Sequence, residues 1–277
     1  MVLVVGAVAN LDNIWISFHP YICNPHVSHS KRKTMKPITE YNKQAKLRLL
    51  LQGPPGAGKT VVAAQFPRPY FIDLDRNLDG PMRCLKRQSK TLPVGYDHVH
   101  VDDTGKDVPL KERYARLATL VAAADAYPDI DTIVIDSATN LSTLLVEETL
   151  RLQGKPVMSK QEWGFFFNYG KQLMDKLTSS RKHIVLTGHE KVNKTSEGAV
   201  VFPIELAWPG QLGKIMGAFF TDVWRCEVQE TPAGLNKSTY KYVVRTTPST
   251  QYALKNSLGF ENLVEFNWAD IEKKLAV

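Results

Sequence analysis

The sequence predicts an α/β domain: a mostly parallel sheet with helices on both faces and antiparallel strands added at the C-terminal edge. Three observations predict it. Short apolar runs alternate with helix-period segments from Lys46 onward. A glycine-rich loop over 53–60 joins the first apolar run to the first helix. The last third changes to the alternation of half-buried strands. A chain of 277 residues can bury one sizeable core with modest additions, and this order of elements fits one domain better than two.

Leu47–Gln52 is a short apolar strand that ends in the glycine-rich loop, and Lys59–Phe66 starts a helix stopped by Pro67. Pro69–Leu74 reads as a second strand. Val94–Val101 reads as a third, followed by a charged, exposed loop at Asp102–Asp107. Leu110, Tyr114, Leu117 and Val121 recur at helical spacing, which predicts a helix over Pro109–Tyr127. Thr132–Asp136 is a strand of the buried type. Helices follow at Leu141–Leu152 and Gln161–Thr178, and a short strand at His183–Thr187. Phe219–Val228 and Tyr240–Thr246 alternate like antiparallel strands around a turn at Pro232–Gly234, and Ala269–Leu275 is a terminal helix.

Residues 1–34 differ from the rest. The apolar run Val2–Val8 has no basic residue before it, so it makes a poor signal peptide. With the basic run Lys31–Lys33 and Met35 after it, the segment is expected to be a disordered extension or the product of an upstream start, leaving 35–277 as the domain. No apolar run approaches the roughly 20 residues of a membrane helix. Cys23, Cys84 and Cys226 are scattered and odd in number, which points to a reducing, cytoplasmic compartment rather than a disulfide framework. Cys23, His26 and His29 offer only three ligands for zinc, too few for a structural site. His98 and His100 share one strand face, expected to be plainly exposed. The net charge of +7 suits a polyanionic partner.

Gly53-Pro54-Pro55-Gly56-Ala57-Gly58-Lys59-Thr60 matches the full phosphate-binding P-loop pattern, with Val61 continuing the helix. Its glycines let several backbone N–H groups converge on one phosphate, and the helix start adds partial positive charge. Lys59 is expected to reach the β- and γ-phosphates of ATP, and Thr60 to ligate Mg²⁺. Thr132-Ile133-Val134-Ile135-Asp136 ends a buried strand on a carboxylate, the second expected Mg²⁺ contact. Ser137 follows where many motor and clamp-loading ATPases carry a water-activating Glu, so that group must come from elsewhere. No Asn-Lys-x-Asp guanine-reading motif ends a suitable strand, which favours ATP over GTP.

Phe71-Ile72-Asp73-Leu74-Asp75 and Ile133-Val134-Ile135-Asp136-Ser137 resemble the RecA family, whose cores pair a strand ending in an acidic residue with a magnesium strand followed by Ser. On that resemblance Asp75 matches the carboxylate that polarises the attacking water, an Asp where the family usually has Glu, with Asp73 as second choice. Ile184-Val185-Leu186-Thr187-Gly188-His189 resembles the strand that ends in a γ-phosphate sensor, with His189 in place of the common Gln. These motifs, with Trp163, Tyr169, Tyr242-Val243-Val244-Arg245-Thr246-Thr247-Pro248 and Lys255, look like phage-encoded nucleotide-binding ATPases of the AAA type, the Sak-type RecA-like single-strand annealing proteins, over roughly 45–257. The resemblance implies a RecA-like fold, ATP-dependent binding of single-stranded DNA, strand annealing, a homo-oligomer or filament, and a single-strand binding protein as a further partner.

By position in such cores, the DNA-facing loops fall near Gly154–Glu162, with Lys155 and Lys160, and near Lys191–Pro209, with Lys191, Asn193, Lys194 and Thr195. Trp163, Phe166, Tyr169 and Leu173 have the spacing of a packed helix face, so Trp208, beside Pro209 and Gly210, is the better base-stacking candidate. Lys214, Arg225, Arg245 and Lys255 are candidates for a cation supplied to a neighbouring subunit's site. Two other readings stay open: a P-loop small-molecule kinase, and a slow or non-hydrolysing assembly factor.

Overall fold

The computed structural model describes residues 46–232 and 238–276. The expected extension at 1–34 and the Cys23, His26 and His29 set lie outside these residues, as does most of the turn expected at Pro232–Gly234.

The strands are β1 (Arg48–Gly53), β2 (Pro69–Asp73), β3 (Gly95–His98), β4 (Thr132–Asp136), β5 (His183–Lys194), β6 (Val200–Leu206), β7 (Asp222–Pro232), β8 (Ser238–Arg245) and β9 (Leu263–Val264). They form one sheet in the order β3-β2-β4-β5-β1-β7-β8-β9, and β6 pairs with the far end of β5. Every contact from β3 to β7 along this path is parallel. β8 and β9 add antiparallel strands at the edge. The central strands read as continuous apolar runs because both faces are covered: Leu49, Leu50, Leu51, Ile133, Val134 and Ile135 are all buried.

Helices α1 (Lys59–Ala63), α2 (Asp79–Arg87), α3 (Leu110–Ala126), α4 (Ala138–Gln153), α5 (Lys160–Thr178), α6 (Gly210–Ile215) and α7 (Trp268–Leu275) divide between the faces. Val62, Ala63, Leu85 and Ile271 bring α1, α2 and α7 onto one core, with Leu51, Val185 and Trp224 of the sheet. Leu117, Leu144, Leu173 and Leu212 bring α3 to α6 onto the other, with Leu50, Leu186 and Val223. The expected α/β architecture is the one observed. Ser159 starts α5 with a capping box: its hydroxyl accepts from Gln161 N, and Glu162 accepts from Ser159 N at 3.0 Å. At the base of α1, Phe66 stacks on Phe266 (5.4 Å) and meets Trp268 (5.1 Å), whose ring edges onto His183 (5.2 Å).

Several boundaries move. β5 does not stop at Thr187; it runs on to Lys194 and turns back as β6, pairing Lys191 with Glu205. β7 pairs parallel with β1 on one side and antiparallel with β8 on the other, so the expected antiparallel pair is joined to the parallel sheet. β3 ends at His98, and Val101 bridges to Asp107 around the charged turn.

Candidate functional site

The register of the sheet assembles the site. Gly53 at the end of β1 pairs with His189 of β5, and Ile135 of β4 pairs with Leu186 of β5. Asp73 of β2 pairs with Asp136 of β4. The carboxyl ends of four neighbouring strands thus bring the loop 53–60, His189, Asp136 and Asp75 to one edge, where open α/β sheets bind ligands. A cavity of about 590 Å³, within the usual range for ligand sites, is lined there by Lys59, Thr60, Asp75, Asp136, Ser137 and His189. Pro55, Gly56, Ala57, Gly58 and Val61 line it as well.

The loop needs its first glycine. A Cβ on Gly53 would stand 2.4 Å from the Cys226 carbonyl oxygen, a backbone atom of the adjacent strand, and φ is +154°. The Lys59 ammonium, nearly buried, donates to Gly53 O at 3.0 Å and Pro54 O at 2.9 Å, and lies 3.4 Å from His189 Nδ1. Burial lowers its pKa, opposed by the nearby carboxylates of Asp136, Glu190 and Asp75.

Thr60 Oγ1 donates to Asp136 Oδ2 at 2.8 Å, and Thr187 Oγ1 donates to Asp136 Oδ1. Burial pushes the Asp136 carboxyl up to about 6, against the hydrogen bonds from Thr187 and Thr60. A hydroxyl and a buried carboxylate are hard oxygen donors, the chemistry Mg²⁺ takes, so Thr60 and Asp136 fit a magnesium site. The Asp136–Ser137 peptide bond is cis.

Asp75 Oδ1 accepts from Ser137 Oγ at 2.8 Å and from Asn140 Nδ2 at 2.7 Å. Asp73, the second choice for the water-activating group, does other work. Its Oδ1 accepts from the backbone N–H of Asp75 (2.8 Å) and Arg76 (2.9 Å) and so shapes the turn that presents Asp75. Its Oδ2 stands 2.9 Å from His98 Nδ1, off the line of a hydrogen bond. His100 Nε2 lies 3.0 Å from Leu74 O. Both histidines are therefore packed behind the Asp75 turn rather than spread on a plain exposed face. Asn140 was not legible as a site residue; the only signal was a polar side chain in the first turn after Asp136-Ser137, one helical turn from Ser137.

Burial and the Lys59 charge lower the His189 pKa, so its ring is neutral at pH 7. With Nδ1 accepting from the Lys59 ammonium, the ring proton sits on Nε2 and can be donated.

Other expected contacts are redistributed. Trp208 is buried against Phe166 (centroids 6.3 Å) and is no base-stacking platform, despite its neighbours Pro209 and Gly210. Phe166 and Leu173 are core, as expected, but Trp163 is 37% exposed, edge-on to Phe166 at 5.4 Å. The stretch expected as a loop from Lys191 is largely the β5–β6 hairpin, with Lys191 and Lys194 exposed. Asn193 donates to Glu205 at 3.2 Å. Lys155, Lys160 and Lys214 are exposed. Three of the cations expected to serve a neighbouring subunit are engaged within their own chain. Arg225 pairs with Glu190 (2.6 Å) and Glu227 (2.5 Å), Arg245 pairs with Glu227 (2.9 Å), and Lys255 donates to Gly217 O and Phe220 O.

The fold and the site together define a P-loop nucleotide-binding protein. The family described as "AAA domain" matches residues 45–258, and the chain belongs to it. No curated protein matches the sequence. Among solved structures, a KaiC-like protein from the archaeon Pyrococcus horikoshii OT3 is similar at 15% identity and a TM-score of 0.41, over 79% of this chain and 88% of that one. The flagellar accessory protein FlaH from Methanocaldococcus jannaschii is similar at 14% identity and a TM-score of 0.36, over 79% of this chain and 84% of that one. Among the described residues, no helix is long and apolar enough to cross a membrane.

Proposed function

We propose that this chain is a RecA-like ATPase of the phage recombination type, which binds single-stranded DNA and promotes strand annealing in the host cytoplasm. The observation that carries the ATPase reading is the Asp75 carboxylate, fixed through Oδ1 by Ser137 and Asn140 on the cavity shared with Lys59, Thr60, Asp136 and His189. The loop 53–60 binds the phosphates of ATP, and Lys59 exchanges its two loop carbonyls for phosphate oxygens. Thr60 and Asp136 hold Mg²⁺, which supplies charge neutralisation at the phosphates. Asp75 orients the attacking water through Oδ2 and takes up its proton, while the neutral His189 donates from Nε2 to the γ-phosphate.

The DNA reading rests on continuity. A single strand, β5, runs from His189 into the hairpin that exposes Lys191 and Lys194, so a contact at the phosphate and a contact at a polyanion share one backbone. Trp163 is the exposed aromatic near Lys155 and Lys160 in sequence and replaces Trp208 as the stacking candidate. A homo-oligomer or filament, and a single-strand binding protein as partner, follow from the same reading. One observation favours slow turnover: Asp75 is a methylene shorter than Glu and already bound on one oxygen by two donors. A nucleotide-dependent assembly factor is therefore the second reading.

The test is ATP hydrolysis by the purified chain with and without single-stranded DNA at low and moderate salt. Stimulation that fades as salt rises supports the annealing ATPase. Nucleotide binding with turnover indifferent to DNA refutes it in favour of the second reading.

A further inference from the structure

The sheet face opposite α1 carries a line of charges that the nucleotide site does not use. Side chains alternate along β5. Val185 packs on the α1 face, as does Thr187, which reaches Asp136, while Leu186 packs on the opposite face. By the same alternation His189 faces Lys59 and Glu190 faces away. On β7, Cys226 packs on the α1 face and Val223 on the opposite one, so Arg225 and Glu227 lie on the same side as Glu190.

β1 separates β5 from β7 only as far as Gly53, where the loop leaves the sheet. Just there Arg225 spans the gap, donating to Glu190 Oε1 at 2.6 Å from Nε and to Oε2 at 3.1 Å from Nη2. Its Nη1 reaches Glu227 Oε2 at 2.5 Å, and Glu227 accepts from Arg245 at 2.9 and 3.2 Å. The Tyr252 ring lies 4.4 Å from the Arg225 guanidinium carbon, and Glu190 and Arg225 side chains are only 6% and 12% exposed. A bidentate pair held this far from water, and stacked on one side, fixes geometry more than a surface ion pair does.

We propose that Glu190 and Arg225 are positioning residues for His189: by clamping the backbone next to the imidazole to β7, they set how well the site distinguishes a nucleoside triphosphate from a diphosphate. This rests on the reading of His189 as the γ-phosphate contact. The γ-phosphate is the group a diphosphate lacks, so a displaced His189 weakens triphosphate binding and leaves the loop 53–60 to hold the β-phosphate as before. The role also explains why Arg225 is engaged within its own chain rather than offered to a neighbouring subunit.

The experiment measures affinity for a slowly hydrolysed ATP analogue and for ADP, each with Mg²⁺, by calorimetry. It compares the full chain with His189→Ala, Arg225→Met, Arg225→Lys and Glu190→Gln. In His189→Ala, loss of one charge-assisted hydrogen bond lowers the triphosphate-to-diphosphate preference by about tenfold. Arg225→Met lowers the preference by a similar factor with ADP affinity unchanged, and Arg225→Lys, which keeps charge but loses the fork, falls between. Glu190→Gln, which keeps shape and one acceptor, serves if Arg225→Met does not fold. Equal losses for both nucleotides mean a merely structural role and overturn the proposal. A preference lost in His189→Ala but kept in Arg225→Met and Glu190→Gln refutes the positioning alone. A preference unchanged in His189→Ala refutes the sensor assignment beneath it.

Discussion

His183 makes the stability of this protein depend on pH in a way that can be worked out in advance. It starts β5 and is buried between Phe66 and Trp268, with Nδ1 accepting from Leu47 N at 3.0 Å. Burial, then the Lys46 charge, push its pKa from 6.5 down to about 4. The sign follows from linkage. The unfolded imidazole takes a proton below 6.5 and the folded one does not until about 4, so its contribution is complete above 6.5 and is lost as pH falls. Between pH 7.5 and pH 5 that loss is about 2 kcal/mol.

Asp136 acts in the opposite sense. Its folded pKa of about 6 lies above the ordinary 3.8, so acidification over the same interval stabilises the fold by about 1 kcal/mol. Asp136 therefore offsets part of the His183 loss in the wild type, and the pH dependence of the wild type alone would understate it. The decisive comparison is urea unfolding of wild type and His183→Gln at both pH values, without metal. Gln keeps an acceptor for Leu47 N but does not titrate. Wild type should lose about 2 kcal/mol more than the variant on going from pH 7.5 to 5. Equal changes in the two proteins would show that His183 is not held neutral by burial.

Three further expectations concern the site. Lys59→Ala should abolish binding of a fluorescent ATP analogue; wild-type affinity in that variant would remove Lys59 from the phosphate site. Asp75→Asn should slow hydrolysis by about 10²-fold or more while sparing nucleotide affinity in equilibrium titration; an unchanged rate would place the base elsewhere. Gly53→Ala forces a Cβ to within 2.4 Å of the Cys226 backbone oxygen, so melting temperature and nucleotide affinity should both fall. A variant that melts and binds like wild type would mean the strand relaxes around it.

What the sequence revealed and what it hid have physical reasons. The loop 53–60 and the Thr132–Asp136 strand were legible because phosphate chemistry dictates residue types at fixed spacing. Helix α2 was missed because Gly80 and Pro81 in its first turn look like a loop, although Pro is tolerated there. β6 was missed because Pro203 interrupts an apolar run, although it lies on a strand that pairs with β5 and touches the 251–252 segment through a single bridge from Ile204 to Tyr252. The extension of β5 was hidden by the polar residues Glu190, Lys191, Asn193 and Lys194, whose strand is paired in a two-stranded hairpin rather than in the core. Trp208 illustrates the limit of local reading: Pro209 and Gly210 suggest an exposed loop, but the indole fills the space between α5 and α6. The pairing of Arg225 with Glu190 is 35 residues apart in sequence, and only the end of β1 between them brings the two together.

The cluster of Phe66, His183, Phe266 and Trp268 has a practical consequence for anyone who trims this chain. The family match stops at 258, yet Phe266, Trp268 and Ile271 lie past that point and are packed beneath the helix that carries Lys59 and Thr60. A fragment cut at the family boundary would strip away the anvil on which that helix rests and bare the aromatic faces of Phe66 and His183 to water. The working unit is longer than the stretch by which its kinship is recognised.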